Sequence, residues 1–478
     1  MRASFQVLDQ GWIPVITADG KERLLGIRQT LLQAHLLREI SCASPLEEYS
    51  IYRFLGLFLM DALRPESELD IEDLLAQGCF LEEELEKYIS VCQAEGVSFD
   101  LFDEERPFLQ SLIDPAIEKE IKPTSVLDCT LPSGNNHTHF VHGATDQELQ
   151  PDAAIRLLLA TYLFCTAAAQ GYPSGVYASP PYFSVIKGRN LFETLTYTLL
   201  PTDSIGIPFD EPPVLWRRTD PIVPKREIES TSWLQGMLFP TRRIHLIPNE
   251  NGQVTGVYLC QGENFINKES WRDPYAAYRK NDQTVFPLRP SADRALWRNL
   301  CDIVDIPGGR ASVLLEQYRR LCPDSRVGMT LYGAETSQAS YLGIYRHDLS
   351  FPLSLTENDA SVELLSVSIA ASEELAKSLK QVLVNTNVLR EGEAVQAVQE
   401  YYRRCEARFW ALCEDAADTA DRKQLYQSFC ADVCAFADRC FTEQVSRKNL
   451  RASALAAAAV QRDKLGKTIR KIQKEASQ

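Results

Sequence analysis

The chain has 478 residues, a length that suits two or three domains of ~150 residues. Apolar residues make up 45% and charged residues 24%, ordinary globular values that exclude disordered, collagen-like and coiled-coil classes. With 65 Asp+Glu against 50 Lys+Arg the net charge is −15, which argues against a charge-driven, non-specific nucleic-acid binder.

Phe5–Leu8 and Ile13–Ile16 read as short strands, with Asp19-Gly20 as a hairpin turn. A helix is expected from about Ile27 to Ile40. Ser44-Pro45-Leu46-Glu47 then combines an N-cap serine, a proline at the first helical position and a glutamate three residues after the cap, so an apolar core helix should run to about Leu63. Residues 64–106 are acidic and broken by Pro and Gly, as short surface helices would be. The longest mostly apolar run, Leu157 to Ala169, is shorter than the ~18–20 residues that span a bilayer. The N-terminus lacks the apolar core of a signal peptide, so a soluble, cytoplasmic protein with no membrane partner is expected.

From about Pro123 to Pro290 the texture turns irregular, rich in Gly, Pro, Asn and Ser, with one clear helix from Ala153 to Ala169. Long irregular segments in a compact chain often carry function, so the working surface is sought here. Farther on, the apolar stretches Met329–Tyr332 and Tyr341–Tyr345 flank Glu335–Ser340, which reads as a tight hairpin tip, and Arg346–Asp348 reads as a polar turn between strands. Beyond that, apolar residues step by three and four: Leu365, Ile369, Leu379, Leu383; Val395, Val398, Tyr402, Cys405, Phe409, Leu412; Leu425, Phe429, Val433, Phe436, Cys440; and Leu465, Ile469, Ile472. Four such helices make an up-down bundle. The expected fold class is α+β, with a large mixed N-terminal globular domain with long loops over 1–357 and a four-helix bundle over 358–478.

Residues 442–478 hold nine Lys/Arg against three Asp/Glu. Arg447, Lys448, Arg451, Arg462, Lys464, Lys467, Arg470, Lys471 and Lys474 are expected to form a basic face on the last helix. That face is either a solvated surface or a contact to a phosphate backbone.

Three patterns could carry enzymatic chemistry. His137, His139 and His142 fall within six residues, and His-x-His spacing can hold a metal, which keeps a metal-dependent nuclease open as an alternative. His347-Asp348 is a second such pair, but metal-dependent phosphohydrolases need further His and Asp ligands. Cys430 and Cys434 stand at i, i+4; the 13 scattered cysteines, without a Cys-x-x-Cys pair, read better as buried reduced thiols. Neither a phosphate-binding Gly-x4-Gly-Lys-Ser/Thr nor a Gly-x-Ser-x-Gly occurs. An ordinary nucleotide-driven or serine-hydrolase mechanism is therefore not supported, and neither a metal nor a cofactor is expected. Two other loops suit nucleic acid: Gly171-Tyr172-Pro173-Ser174-Gly175, whose glycines permit close backbone approach, and the polar hairpin tip.

Several segments together resemble one family. These are Phe5-Gln6-Val7-Leu8-Asp9-Gln10-Gly11-Trp12-Ile13-Pro14-Val15; Phe99-Asp100-Leu101-Phe102-Asp103 with Arg106-Pro107-Phe108-Leu109-Gln110; Trp233 followed by Thr241-Arg242-Arg243-Ile244; and Gln338-Ala339-Ser340 with Arg346-His347-Asp348. They resemble, in order, the large subunit (CasA) of the type I-E CRISPR surveillance complex, Cascade. The resemblance implies a non-catalytic subunit that reads the protospacer-adjacent motif (PAM) on double-stranded target DNA from the minor groove. It also implies help in strand opening for R-loop formation, recruitment of a CRISPR helicase-nuclease, and the other Cascade subunits and crRNA as partners. Carried over by position, Gln338 and Ser337 match a DNA wedge; Ser337 is shorter than the family's Asn, so wedging rests mainly on Gln338. Gly171 and Gly175 match a glycine loop at the PAM minor groove. Ser133, Gly134, Asn135 and Asn136 match a PAM-proximal flexible loop. Lys268 and Arg272, beside a Trp271–Pro274 turn, stand in for a minor-groove lysine, and Arg470, Lys471 and Lys474 for a basic helix face. A purely structural ribonucleoprotein subunit is the remaining alternative.

Overall fold

A three-stranded antiparallel sheet opens the chain, in the order Glu22–Leu25, Ile13–Thr17, Leu37–Ile40. Gly20 turns the first hairpin at φ +81°. Phe5–Leu8 is not a strand. Asp100 accepts hydrogen bonds from Phe5 N (2.8 Å) and Gln6 Nε2 (3.1 Å), and the chain turns after one bridge at Gln6. The helix expected over Ile27–Ile40 stops at Leu32. Leu37–Ile40 instead extends the sheet, because pairing with Ile13–Thr17 buries Leu37 and Ile40 while Arg38 stays exposed. Tertiary pairing here overrides helical spacing.

This computed structural model describes residues 3–115, 118, 120–128, 131, 147–165, 176, 179–280, 284–323, 326–337, 340–356, 359–386, 390–418, 421–448 and 451–478. They divide into two units, residues 1–292 with 312–322 and 328–349, and residues 293–311 with 323–327 and 350–478.

The first unit is organised on the helix Pro45–Leu63, which is buried almost continuously from Leu46 to Asp61. Pro45 starts it as expected, but Ser44 makes no side-chain cap; Glu47 pairs with Arg156 at 3.0 Å instead. A helix buried on every side must pack apolar groups all round, and Ile51, Phe54, Leu55, Phe58 and Leu59 do so. Each such side chain contributes ~1.5–3 kcal/mol. Gly56 lets a neighbour in close: a Cβ there would sit 2.9 Å from Thr198 Oγ1. Shorter helices follow at Glu68–Gln77, capped by Ser67 and Asp70, and Glu82–Ala94. The helix Pro151–Phe164 packs on Pro45–Leu63. A hairpin, Arg242–Pro248 with Val254–Gln261, and a sheet ordered Ser340–Pro352, Arg326–Ser337, Phe183–Ile186 complete the scaffold.

The second unit holds helices at Asp359–Asn385, Glu391–Asp418, Arg422–Ser446 and Ala452–Ser477, the four-helix region that the spacing indicated. Leu365, Leu379, Phe409, Phe429 and Leu465 fill its centre. Cys405, Cys413, Cys430, Cys434 and Cys440 are buried there as thiols. Burial raises Cys430 and Cys440 to about 11 and Cys405 and Cys434 to about 12, so they stay protonated. Residues 293–311 belong to this unit: Trp297 meets Phe409 with ring centroids 5.0 Å apart, and Arg294 and Arg298 both bond Glu373. Among the described residues no helix is long and apolar enough to cross a membrane.

Inside the first unit, Arg53 and Asp273 form an ion pair whose side chains are 0% and 1% exposed. The Arg53 guanidinium also lies 4.8 Å from the Tyr275 ring centroid and 5.0 Å from that of Phe183. Asp273→Asn leaves a buried guanidinium without its counter-charge and should cost about 3–5 kcal/mol in urea unfolding, whereas Arg53→Met/Asp273→Leu together should recover most of that loss.

Candidate nucleic-acid interface

The two long strands Arg326–Ser337 and Ser340–Pro352 present the hairpin. Ser337 ends the first strand in an exposed position; Gln338 lies outside the described residues. The stem is held by buried polar bonds. Glu48, 3% exposed on the core helix, accepts from Tyr332 Oη at 2.5 Å and pairs with Arg346 Nε at 3.2 Å, so one carboxylate takes a hydrogen bond from the first strand and an ion pair from the second. Its other oxygen accepts from Cys42 N at 3.3 Å. Burial, with Tyr52 and the Glu48 carboxylate adding to it, pushes the Tyr332 phenol above its usual range; burial opposes a rise at the Arg346 guanidinium, but Glu48 and Tyr332 hold it above its usual range.

Farther along the stem, Tyr345 Oη donates to Glu335 at 2.8 Å, and the same Glu335 oxygen accepts from Ala292 N. Tyr341 Oη donates to the carbonyl of Phe164, the last residue of Pro151–Phe164. That helix leads into the segment holding Gly171 and Gly175, which lies outside the described residues, as do Ser133, Gly134, Asn135 and Asn136.

Arg346–Asp348 is not a turn between strands but part of the strand Ser340–Pro352. The strand runs through because Tyr182, Tyr345 and His347 pack as a ring cluster and Thr330 Oγ1 donates to Asp348 at 2.7 Å. Burial lowers the His347 pKa. No group of three or more His, Cys, Asp or Glu suited to a metal occurs among the described residues. His137, His139 and His142 lie outside them.

Lys268 and Arg272 flank Trp271 on the segment after the two-residue strand Asn264–Phe265. Lys268 is half-buried with its ammonium 5.6 Å from the Phe265 ring centroid, and burial pulls its pKa down to about 8. Arg272 is exposed over the Tyr278 ring at 5.8 Å. The turn between them is rigid for three reasons. The Trp271 indole fills the space a Cβ on Gly236 would occupy; Asp273 N donates to Tyr278 Oη at 2.7 Å; and Asp273 is locked to Arg53.

On the last helix, Lys471 pairs with Glu374 at 2.9 Å, Arg470 lies 3.6 Å from Asp463, and Lys474 is exposed. Arg447 and Lys448 are not on that helix: they follow Arg422–Ser446, and Arg451 stands just before the start of Ala452–Ser477 without a side-chain cap. Pairing of Arg462 with Asp438 further reduces the free positive charge of this face.

Glu48, Tyr332 and Tyr341 were not singled out from the sequence. The available signal was the presence of Glu48, Arg53 and Asp61 inside an otherwise apolar helix, because a buried charge requires a partner.

The described residues thus form a mixed α+β unit whose β-hairpin stem is tied to the core helix, and a four-helix unit. The family model described as CRISPR-associated protein Cse1 matches residues 6–440, and the chain belongs to that family. A CRISPR-associated protein CasA/Cse1 from Thermus thermophilus is 29% identical over 402 residues, covering 79% of this chain and 77% of that protein. The solved structure of Thermus thermophilus CasA (Cse1) superposes with a TM-score of 0.78 at 23% identity, over 97% of this chain and 99% of that one. A chain in a solved CRISPR RNA-guided surveillance complex superposes with a TM-score of 0.76 at 20% identity, over 97% of this chain and all of that one.

Glu48→Ala removes the acceptor of Tyr332 and the counter-charge of Arg346, and the loss of both should loosen the stem before the rest of the unit. Amide hydrogen exchange at residues 329–334 and 343–348 should accelerate at least tenfold, with the strands Ile13–Thr17 and Glu22–Leu25 unchanged. Uniform acceleration would assign Glu48 to global stability alone.

Proposed function

We propose that this chain is the large subunit of a crRNA-guided surveillance complex and reads the PAM of double-stranded target DNA from the minor groove. In this role it is not an enzyme. It works in the cytoplasm with other Cascade subunits and crRNA, promotes strand opening so that guide pairing can begin, and helps recruit a helicase-nuclease. Family membership supports the reading, as does the likeness to a chain of an RNA-guided surveillance complex. The single observation that carries the opening step is the stem clamp: a tip that separates base pairs must not yield, and Glu48 ties both strands of the stem to the core helix. Separating a base step costs a few kcal/mol, which contacts to the opened duplex offset.

In this mechanism Gln338, with Ser337 beside it, enters next to the PAM and holds the first step open. Gly171 and Gly175 let the backbone follow the minor groove, and Ser133 to Asn136 meet the PAM-proximal end. Lys268 and Arg272 supply positive charge from the rigid Trp271 turn; Arg470, Lys471 and Lys474 offer a backbone contact. Minor-groove readout is degenerate, so several motifs should be accepted.

Gln338→Ala in the assembled complex should slow PAM-dependent opening, read by 2-aminopurine fluorescence, at least tenfold while leaving assembly intact. Unchanged opening would favour a purely structural subunit.

Lys268 adds a pH dependence. Its ammonium, with a pKa near 8, is mostly charged at neutral pH, and an anionic groove favours the charged form. Binding therefore takes up a proton above about pH 8, and affinity should fall as pH rises from 7 to 9. Fluorescence anisotropy at fixed ionic strength should show this fall, flattened in Lys268→Arg; equal slopes would remove Lys268 from the groove.

A further inference from the structure

The Arg106–Gln110 segment is not used by the function above, yet it forms one wall of a cleft of about 230 Å³ in the first unit. Leu215, Trp216, residues 218–222 and Arg243 line the rest of it. The floor is apolar: Phe108, Leu109, Leu215 and Trp216 are all less than 9% exposed. Leu112, 58% exposed, stands on the rim near the half-buried Ile222.

Leu109 is held at φ +59°, a left-handed conformation that leucine rarely adopts. Tyr162 Oη bonds its carbonyl at 2.9 Å. Gln110 bonds Leu101 O at 2.7 Å and accepts from Leu246 N at 2.7 Å. The surroundings thus fix a strained residue on the cleft floor.

The charges around the cleft are unequal. Arg217 faces Asp61 and Glu95, Arg218 faces Asp220 and Glu263, and Arg243 faces Glu118. Arg106 instead donates to two carbonyl oxygens, Glu95 O at 2.8 Å and Arg218 O at 3.3 Å, and no described carboxylate forms an ion pair with it. Gly96, at φ +78°, makes room for it: a Cβ there would lie 3.0 Å from Arg106 Nη1. Glu105 on the rim is exposed to solvent.

We propose that this cleft docks an extended segment of a partner polypeptide, which lays one aliphatic side chain against Leu112 and Ile222 and sets an adjacent Asp or Glu carboxylate on Arg106. A single-stranded nucleic acid fits less well. Phe108 and Trp216 are 1% and 4% exposed and offer no open ring face on which a base could stack. The proposal does not depend on the DNA-binding reading.

The full chain, labelled at Leu and Ile methyls, is titrated with 4-methylpentanoate and with its neutral amide. The methyls of Leu112 and Ile222 should shift, with the acid binding about tenfold tighter than the amide. Arg106→Gln should equalise the two, and Leu112→Glu, on the exposed rim, should weaken both. In the assembled complex, p-benzoylphenylalanine in place of Leu112 should crosslink to a polypeptide segment with Leu, Ile, Val or Met beside Asp or Glu. Absent methyl shifts, equal binding of acid and amide by the unsubstituted chain, or crosslinks to nucleic acid alone would each overturn the proposal.

Discussion

Three charged residues on one buried helix set the geometry of the first unit. Glu48, Arg53 and Asp61 are 3%, 1% and 2% exposed within Pro45–Leu63. Charges in that position destabilise the fold unless each finds a counter-charge and enough hydrogen bonds. Each finds a partner on a different distant segment. Glu48 takes Tyr332 and Arg346, Arg53 takes Asp273, and Asp61 takes Tyr88 and Arg217 besides Arg64 at the end of its own helix. Apolar packing alone would tolerate sliding of the loops over the helix; specific charge pairs at three heights along it do not. The hairpin stem, the Trp271 turn and the 215–217 segment at the Arg106 cleft are therefore all referred to the same axis.

That arrangement explains which parts of the molecule could be read in advance. The four helices of the second unit were legible because their apolar residues recur every three or four positions, a local property. The core helix was legible from Pro45 at its start and the near-continuous apolar run behind it, which are also local properties. Failures came where a non-local pairing decided the outcome. Leu37–Ile40 carries spacing that fits a helix, but a vacant edge beside Ile13–Thr17 claimed it. Arg346–Asp348 looks polar enough for a turn, yet Glu48, Thr330 and Tyr182 absorb its three side chains along a strand. Polar residues inside a strand reveal their role only once the partner across space is known.

The candidate site divides in the same way. Motif positions such as Ser337, Lys268 and Arg272 could be named from residue order, because resemblance follows order. The residues that hold them in place could not. Tyr341 reaches Phe164 across 177 positions, Arg53 reaches Asp273 across 220 and Tyr332 reaches Glu48 across 284. No local pattern encodes such pairs. A charged residue in an apolar helix announces that a partner exists without saying where it is.

The same pairing constraint bears on how an acidic chain, with a net charge of −15, can serve at a nucleic acid. Many of its arginines are committed to internal carboxylates: Arg53, Arg156, Arg217, Arg218, Arg243 and Arg346 in the first unit, Arg294, Arg298, Arg404 and Arg408 in the second. Such cations have little charge left with which to displace counterions from a phosphate backbone. Long-range attraction is therefore a poor source of affinity for this chain by itself. In the proposed role, affinity must come from the assembly around it, while the chain contributes geometry: a stem tied to the core helix and a rigid turn with a lysine poised near its titration point. A duplex delivered by other subunits meets a shape that is already in place, and discrimination then depends on whether that shape fits, not on how strongly the surface attracts.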